Sequence, residues 1–344
     1  MNNFPHHVYM RRALELAKLG KEKVSPNPMV GCVILHQGKI IGEGWHKFFG
    51  GLHAEPNAIA SVENLDLLPE STMYVTLEPC AHHGKTPPCA DLIIKSGIKH
   101  VIIASLDPNP LVAGKGVALL KEAGIKVSVG LLGNEAEAMN KRFFTFHQEK
   151  RPYIILKWAQ TRDGFIAQPN FDSKWISNDL SRKWVHKWRS EEDAILVGPN
   201  TAYIDNPSLT TRFWPGKNPV RVLLDPMLNI PKTHNIFNDA AKTIVLNKHK
   251  ENVNDNIKYI LCSDTSPENI LRTLHKENIQ SLIIEGGTGT INYFLEAGLW
   301  DEARVFTAQK KYFVEGLQAP SLRSAPHQEI NVLNDKLHIY YREP

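Results

Sequence analysis

The chain has 344 residues, which is too long for one ordinary domain and suits two domains of roughly 150 to 200 residues each. Its 42% hydrophobic and 22% charged residues are those of an ordinary globular protein and exclude a largely disordered chain. The formal net charge of +4 is too small to indicate a nucleic-acid partner, and it is compatible with an anionic small molecule.

The N-terminal segment and the cysteines point to a reducing compartment. Residues 1–10 lack the basic segment and apolar core of a secretory signal. The apolar runs are far shorter than the ~20 residues of a membrane span. Four cysteines, at positions 32, 80, 89 and 262, are too few for the disulfide scaffold of a secreted domain. We therefore predict a cytoplasmic protein without membrane or nucleic-acid partners.

Apolar runs rich in β-branched residues alternate with amphipathic stretches of helical period, which is typical of α/β domains. In the first half this pattern predicts helices over Val8–Leu19, Glu55–Val62, Cys89–Ser96, Lys115–Ala123 and Asn134–Lys150. It predicts strands over Gly31–Leu35, Ile40–Gly44, Met73–Leu77, His100–Ala104 and Lys126–Gly130.

A domain boundary is predicted after Lys150, because Pro152 restricts the residue before it and a new strand, Tyr153–Ala159, begins at once. The two domains would be residues 1–150 and 151–344. In the second half we predict further strands over Ala194–Gly198, Val220–Asp225, Thr243–Asn247, Tyr259–Cys262, Ser281–Glu285, Arg304–Ala308 and Leu337–Tyr341. Helices are predicted over Asp179–Ser190, Pro267–Asn278 and Thr290–Ala297.

The first half carries a metal-site motif. His53-Ala54-Glu55 precedes a predicted helix, Glu78-Pro79-Cys80 follows a predicted strand, and Cys89 comes after two prolines. One imidazole and two thiolates can hold Zn²⁺ and leave its fourth position open for water. A carboxylate that is not a ligand can then move protons, and Glu55 fits that role.

The spacing between the cysteines leaves alternatives open. The motif H-x-E followed by P-C is that of zinc-dependent nucleobase deaminases, in which two residues usually separate the cysteines. Here the eight residues 81–88 lie between Cys80 and Cys89. On the pattern alone, a structural zinc knuckle or a different metal is also consistent with these residues. The inserted run His82-His83-Gly84-Lys85-Thr86-Pro87-Pro88 is polar and basic. It is interpreted either as a substrate loop in which Lys85 and Thr86 bind a phosphate, or as an ordinary exposed loop.

In the second half the strongest signal is Glu285-Gly286-Gly287-Thr288-Gly289-Thr290, where an apolar strand enters a glycine-rich turn at a helix start. Backbone N–H groups in such a turn can hold a phosphate. The turn is not a complete dinucleotide-binding fingerprint, so a plain strand-to-helix turn is an equal interpretation. Arg189 and Arg212 could bind a substrate phosphate or be ordinary solvated residues.

The motifs together resemble the bifunctional riboflavin-biosynthesis deaminase/reductase family. The resemblance rests on Pro26-Asn27-Pro28, His53-Ala54-Glu55, Glu78-Pro79-Cys80, the run from His82 to Cys89, and Asp107-Pro108-Asn109-Pro110. It covers essentially the whole chain, and the long spacing between the cysteines is usual in that family. It implies an α/β chain with an N-terminal cytidine-deaminase-like three-layer domain and a C-terminal dihydrofolate-reductase-like domain.

The resemblance also implies the site residues and cofactors. Zn²⁺ would sit on His53, Cys80 and Cys89, with Glu55 as the catalytic proton shuttle. The pyrimidine ribosyl phosphate would be bound in the deaminase domain by Asn27, His46, Lys85, Thr86 and Asn109. In the reductase domain the sugar-phosphate substrate would contact Ser173, Arg189, Leu209, Arg212 and Glu285. NADPH would contact Ala159, Trp175, Thr201, Asp205, Gly287, Thr288, Gly289, Thr290, Ile291, Asn292 and Tyr293.

The implied reactions are two steps of riboflavin biosynthesis. The first domain would hydrolytically deaminate 2,5-diamino-6-ribosylamino-4(3H)-pyrimidinone 5′-phosphate. The second would use NADPH to reduce the ribosyl chain to that of 5-amino-6-ribitylaminouracil 5′-phosphate. We also expect a homo-oligomer. Two rivals are weighed: a base deaminase of the tRNA-editing kind, which the mild charge and the long loop disfavour, and a non-catalytic zinc module closed by His82 or His83.

Overall fold

The computed structural model describes residues 5–81, 87–110, 112–173, 175–254 and 256–343. The chain divides into two compact units, residues 1–150 and 151–344. Each unit has its own sheet and its own buried core, and each is described separately below.

The first unit is built on a five-stranded sheet of order β2-β1-β3-β4-β5. Strand β1 is antiparallel to β2 and β3, whereas β3, β4 and β5 run parallel. The strands are β1 (Gly31–His36), β2 (Lys39–Trp45), β3 (Thr72–Leu77), β4 (His100–Ser105) and β5 (Lys126–Val129). The helices are α1 (His6–Lys18), α2 (Ala54–Ala60), α3 (Cys89–Lys95), α4 (Lys115–Glu122), α5 (Gly133–Met139) and α6 (Lys141–Glu149), with a 3₁₀ turn at Leu65–Glu70.

This sheet is covered on both faces, which gives three layers. Side chains alternate across a strand, so Cys32 and Ile34 of β1 pack with α2 and α3, whereas Val33 and Leu35 pack with α1. Because both faces are buried, the central strands are continuously apolar. The predicted three-layer α/β arrangement is therefore present in this unit.

The predicted single helix over Asn134–Lys150 is wrong, because the structure has two helices that meet at Asn140. Asn140 is buried, and its side chain forms two hydrogen bonds with the backbone of Met29. Its Oδ1 accepts from the Met29 N–H at 2.8 Å, and its Nδ2 donates to the Met29 carbonyl at 2.9 Å. The break between the two helices lets the Asn140 side chain make these bonds. The periodicity of the sequence does not reveal such a break.

The second unit is built on a ten-stranded sheet of order β11-β12-β10-β9-β8-β13-β6-β14-β17-β16, with a separate β15-β7 pair. The run from β12 to β14 is parallel, and the strands at both margins are antiparallel. The strands are β6 (Tyr153–Gln160), β7 (Phe165–Ala167), β8 (Ala194–Val197), β9 (Val220–Leu224), β10 (Thr243–Asn247), β11 (Asn252–Asn254), β12 (Ile257–Leu261), β13 (Ser281–Ile284), β14 (Glu302–Ala308), β15 (Leu317–Gln318), β16 (Gln328–Val332) and β17 (Asp335–Tyr341). The helices are α7 (Asp179–Glu191), α8 (Pro199–Asp205), α9 (Pro267–Lys276) and α10 (Thr288–Glu296), with a 3₁₀ turn at Asn235–Phe237.

Helices also cover both faces of this sheet. Ile154 and Leu156 of β6 pack on the side of α9 and α10, whereas Tyr153 and Ile155 pack on the side of α7. The parallel strands place their carboxyl ends along one edge, where an α/β sheet ordinarily binds its ligands. None of the helices within the described ranges is long and apolar enough to span a membrane.

Short elements were missed by the sequence pattern. Helix α8 has seven residues and begins with Pro199, so it has too few turns to show a helical period. Strands β7, β11 and β15 have three residues or fewer. Helix α8 carries Thr201 and Asp205, two of the residues predicted to contact the cofactor.

Arg221 is the largest fully buried side chain in the described part of the chain, and it supports a prediction about stability. Its guanidinium donates to the carbonyls of Asn235, Asn238 and Ala241. Arg221→Met would leave these acceptors without their donor, so we expect the free energy of unfolding of this unit to fall by about 3 kcal/mol. Chemical denaturation followed by tryptophan fluorescence would measure it.

Lys258→Met is the matched control, because it removes a partly exposed ion pair with Glu277 and should cost less than about 1 kcal/mol. An equal effect of the two substitutions would contradict the role given to Arg221.

Candidate active sites

His53 and Glu55 lie at the start of α2. His53 is the N-cap residue in extended conformation, and Glu55 is in the first turn. The helix lies directly on β2, because a Cβ on Gly44 would come within 2.3 Å of the Ala58 nitrogen. A larger residue at Gly44 would therefore displace the helix that carries both side chains.

Cys80 and Cys89 reach the same point from β3 and α3. Cys80 follows β3 after Glu78 and Pro79, and Cys89 is the first residue of α3. The Cys89 N–H donates to the Cys80 sulfur at 3.3 Å. A helix N-terminus favours a negative sulfur, and hydrogen bonding from Cys89 together with His53 lowers the pKa of Cys80 well below its usual value.

The three side chains fit a zinc ion. Their ligand atoms all lie within 4.8 Å of one another. The His53 Nδ1 atom is 3.6 Å from the Cys80 sulfur and 3.3 Å from the Cys89 sulfur. Tetrahedral zinc with ordinary Zn–S and Zn–N bond lengths would separate these atoms by roughly 3.6 Å. Two thiols and one imidazole are also a donor set that zinc prefers.

Glu55 is buried beside these ligands. Its side chain is only 3% exposed. Burial raises the pKa of Glu55 to about 7, against the opposing effect of His53. A carboxyl group in this environment is suited to accept a proton and return it near neutral pH.

A cavity of about 200 Å³ opens onto Glu55, and Asn27, His46 and Asn109 line it as well. His46 is held in one orientation. Its Nδ1 donates to the Leu52 carbonyl at 3.0 Å, so its Nε2 accepts from the Asn27 amide at 3.1 Å. Burial lowers the pKa of His46, which favours this neutral form. The Asn27 amide is therefore oriented by a fixed neighbour.

The sequence prediction assigned no role to several other residues of this cavity, among them Glu78, Asp107 and Phe143. The Asp107-Pro108-Asn109-Pro110 motif and the Glu before Pro79-Cys80 were visible signals. Phe143 belongs to α6 and gave no chemical signal. Lys85 and Thr86, together with His82 and His83, lie outside the described residues.

In the second unit, two adjoining cavities of about 480 and 380 Å³ lie at the carboxyl ends of the parallel strands. The smaller is bordered by the start of α10, where Gly287, Thr288, Gly289 and Thr290 present the glycine-rich turn. The larger contains Arg189, Leu209, Arg212 and Glu285. Both cavities are lined by Ile166, Ser173, Thr201, Asp205 and Gly287.

Three charged groups meet beside the larger cavity. The Arg189 guanidinium lies 2.7 Å from Glu285 Oε2, and the Lys157 ammonium lies 4.0 Å from the same oxygen. Burial alone would raise the pKa of Glu285, but Arg189 and Lys157 hold it below its usual value. Burial lowers the pKa of Lys157. Lys157 lies in an apolar strand, and the sequence prediction did not select it.

Some of the residues predicted to contact NADPH line the cavities of the second unit, and others do not. Ala159 and Trp175 line the larger cavity, where the Trp175 ring also packs against the Arg182 guanidinium. Ile291 lies in the hydrophobic core, and Tyr293 donates to the Thr265 carbonyl. Ile291, Asn292 and Tyr293 are not among the described residues that line these two cavities, and their cofactor roles stay predictions.

Two family models match the chain. The cytidine and deoxycytidylate deaminase zinc-binding region matches residues 5–105, and the RibD C-terminal domain matches residues 152–311. Fold, site geometry and these matches define the class of the protein, which is a deaminase domain joined to a reductase domain.

The riboflavin biosynthesis protein RibD of Aquifex aeolicus is 46% identical over 88% of this chain and 86% of its own length. The chain belongs to the RibD family of bifunctional deaminase/reductase enzymes of riboflavin biosynthesis. A solved deaminase/reductase from Thermotoga maritima has a TM-score of 0.85 at 41% identity and covers 97% of both chains. Acinetobacter baumannii RibD has a TM-score of 0.88 at 33% identity, covering 97% of this chain and 98% of its own. The predicted family, fold class and enzyme type are confirmed.

Proposed function

We propose that residues 1–150 deaminate 2,5-diamino-6-ribosylamino-4(3H)-pyrimidinone 5′-phosphate and that residues 151–344 reduce the ribosyl chain of the product with NADPH. The observation that carries the proposal is the convergence of His53, Cys80 and Cys89 beside the buried Glu55. It is supported by the Thermotoga maritima protein, which is named as a diaminohydroxyphosphoribosylaminopyrimidine deaminase and 5-amino-6-(5-phosphoribosylamino)uracil reductase.

In the deaminase site, His53, Cys80 and Cys89 would hold zinc. Bound zinc would supply a water of lowered pKa for attack on the ring carbon. Glu55 takes one proton from the attacking water and gives it to the ring nitrogen. It then takes the second proton, from the added hydroxyl, and gives it to the amino group, so that ammonia leaves and the oxygen stays on the ring carbon. His46, which is held by the Leu52 carbonyl, would orient the Asn27 amide for the pyrimidine, and these two hydrogen bonds support that role.

In the reductase site, the cavity at the start of α10 would hold NADPH, because the helix N-terminus and glycine-rich turn suit a phosphate. NADPH would supply a hydride to C1′ of the ribose. The C1′–O4′ bond must break for C1′ to accept that hydride, and the released O4′ requires a proton. We assign that proton to Lys157, which lines the larger cavity and whose ammonium lies 4.0 Å from Glu285 Oε2.

The remaining cofactor and partner assignments are also proposals. We assign Zn²⁺ and NADPH as cofactors and the pyrimidine ribosyl phosphate as the bound small molecule. The homo-oligomer and the cytoplasmic location stay predictions. The mild net charge of +4 gives no support to a base deaminase that acts on nucleic acid.

One assay tests the whole proposal. Purified protein with quantified zinc is incubated with the diaminopyrimidine ribosyl phosphate and NADPH, and ammonia release and NADPH oxidation are followed together. We expect about one zinc per chain and ammonia release that precedes NADPH oxidation. Zinc without ammonia release would refute the deaminase assignment and favour a structural metal. Ammonia release without NADPH oxidation would refute the reductase assignment.

A further inference from the structure

Glu78 is a buried carboxylate that the mechanism above does not use. It stands between β3 and the zinc ligand Cys80, and only 4% of it is exposed. One oxygen accepts from the Asp107 N–H at 3.2 Å and from the Gly114 N–H at 2.9 Å. The other accepts from the Val117 N–H at 3.1 Å. Three backbone donors from a single segment therefore converge on this side chain.

These bonds provide the N-terminal cap of α4. The N-cap residue is Gly114, which has no side chain to accept from the first turn. Glu78 supplies the missing acceptor from another element, and its negative charge suits the N-terminus of the helix. The approach is close, because a Cβ on Gly116 would lie 2.0 Å from the Pro79 carbonyl oxygen.

The segment that Glu78 holds forms one wall of the deaminase cavity. Asp107, Asn109 and Val112 all line that cavity. The Asn109 N–H donates to Asp107 Oδ1 at 2.8 Å, and the Asn109 carbonyl accepts from the Val112 N–H at 2.8 Å. Residues 107–110 and 112–117 are therefore linked by their own turns and fastened through Glu78 to the chain just before the metal site.

We propose that Glu78 is a positioning residue for deamination, which sets Asn109 and its segment at a fixed distance from the zinc ligands. This inference rests on the proposed deaminase function. Glu78 also lines this cavity, but both of its oxygens accept from backbone donors of the loop, so it acts through the loop and its contribution falls on substrate binding. A group that orients such a neighbour commonly changes activity by about 10- to 100-fold when it is replaced.

The test is Glu78→Gln, because an amide has one acceptor oxygen and its NH₂ group would face a backbone donor. Zinc-loaded full-length protein is assayed for ammonia release over a range of substrate concentrations. We expect KM to rise by about 10- to 100-fold and kcat to change far less. Zinc content and NADPH-dependent reduction of the deaminated compound by the same preparation should stay as in the unmodified protein.

Two further variants make the test decisive. Gly116→Ala leaves the carboxylate intact but forces α4 away from Pro79, so it should raise KM in the same direction even if Glu78→Gln does not fold. Glu137→Gln is the matched control, because Glu137 is exposed, accepts a hydrogen bond from the Ser105 hydroxyl and is not among the described residues that line the cavity. It should leave KM unchanged.

A KM within twofold of normal in Glu78→Gln would overturn the inference. So would a loss of zinc, or a fall in kcat at unchanged KM, because each would give Glu78 a different role. Absence of ammonia release by the unmodified protein is a separate result, which would overturn the proposed function itself.

Discussion

Replacing Glu55 by Gln is expected to lower the rate of deamination by about 10²- to 10⁴-fold while zinc stays bound. The amide has nearly the same volume, so the buried site beside His53 should keep its shape. It cannot accept the proton and pass it on. Single-turnover ammonia release, with zinc measured on the same sample, would give both values.

Glu63→Gln is the control for this substitution, because Glu63 is exposed and lies just beyond the same helix. Reduction of the deaminated compound by the Glu55→Gln protein should proceed at the normal rate. Deamination that continues at the normal rate would refute the proton-shuttle role. Loss of zinc from the Glu55→Gln protein would mean that Glu55 contributes to zinc binding as well as to proton transfer.

Replacing Lys157 by Met is expected to lower the rate of NADPH-dependent reduction by about 10²- to 10⁴-fold and to leave deamination unchanged. The substitution removes the proposed proton donor, but Glu285 keeps its ion pair with Arg189 at 2.7 Å. No buried carboxylate is left without a partner, so the reductase unit should stay folded. NADPH oxidation with the deaminated compound, measured at saturating cofactor, tests this expectation.

Lys258→Met again provides the matched control, since it changes a partly exposed lysine in the same unit that does not line either cavity among the described residues. A Lys157→Met protein that reduces its substrate at the normal rate would contradict the assignment of the proton to Lys157. Thermal unfolding of the two variants would show whether any loss of activity comes from the fold.

The three candidate metal ligands could be found from the sequence because each lies at the boundary of one local element. His53 precedes α2, Cys80 follows β3 and Cys89 begins α3, so short motifs carry the information. The sheet strands could also be predicted, since burial on both faces makes them apolar runs. The role proposed for Glu55 follows from its position two residues after the candidate ligand His53.

The rest depends on contacts between distant parts of the chain. Asn140 ends a helix because Met29, far away in the sequence, offers its backbone. Lys157 is one polar residue in an apolar strand, and only the fold brings Glu285 next to it. Glu78 could be recognised as part of a motif, but its three donors come from residues 107–117. The hydrophobic periodicity of the sequence does not predict such contacts between distant residues.

The two cavities of the second unit share a wall that includes Ser173, Thr201 and Asp205. A single compound that joins a nicotinamide-like ring to a ribose phosphate would extend across that wall and occupy both cavities as one ligand. Its second half would bind at high effective concentration once the first half is seated. If the two cavities hold NADPH and the sugar phosphate as proposed, the reductase unit is suited to inhibition by bisubstrate analogues, whose linker should match the short distance over which hydride is transferred.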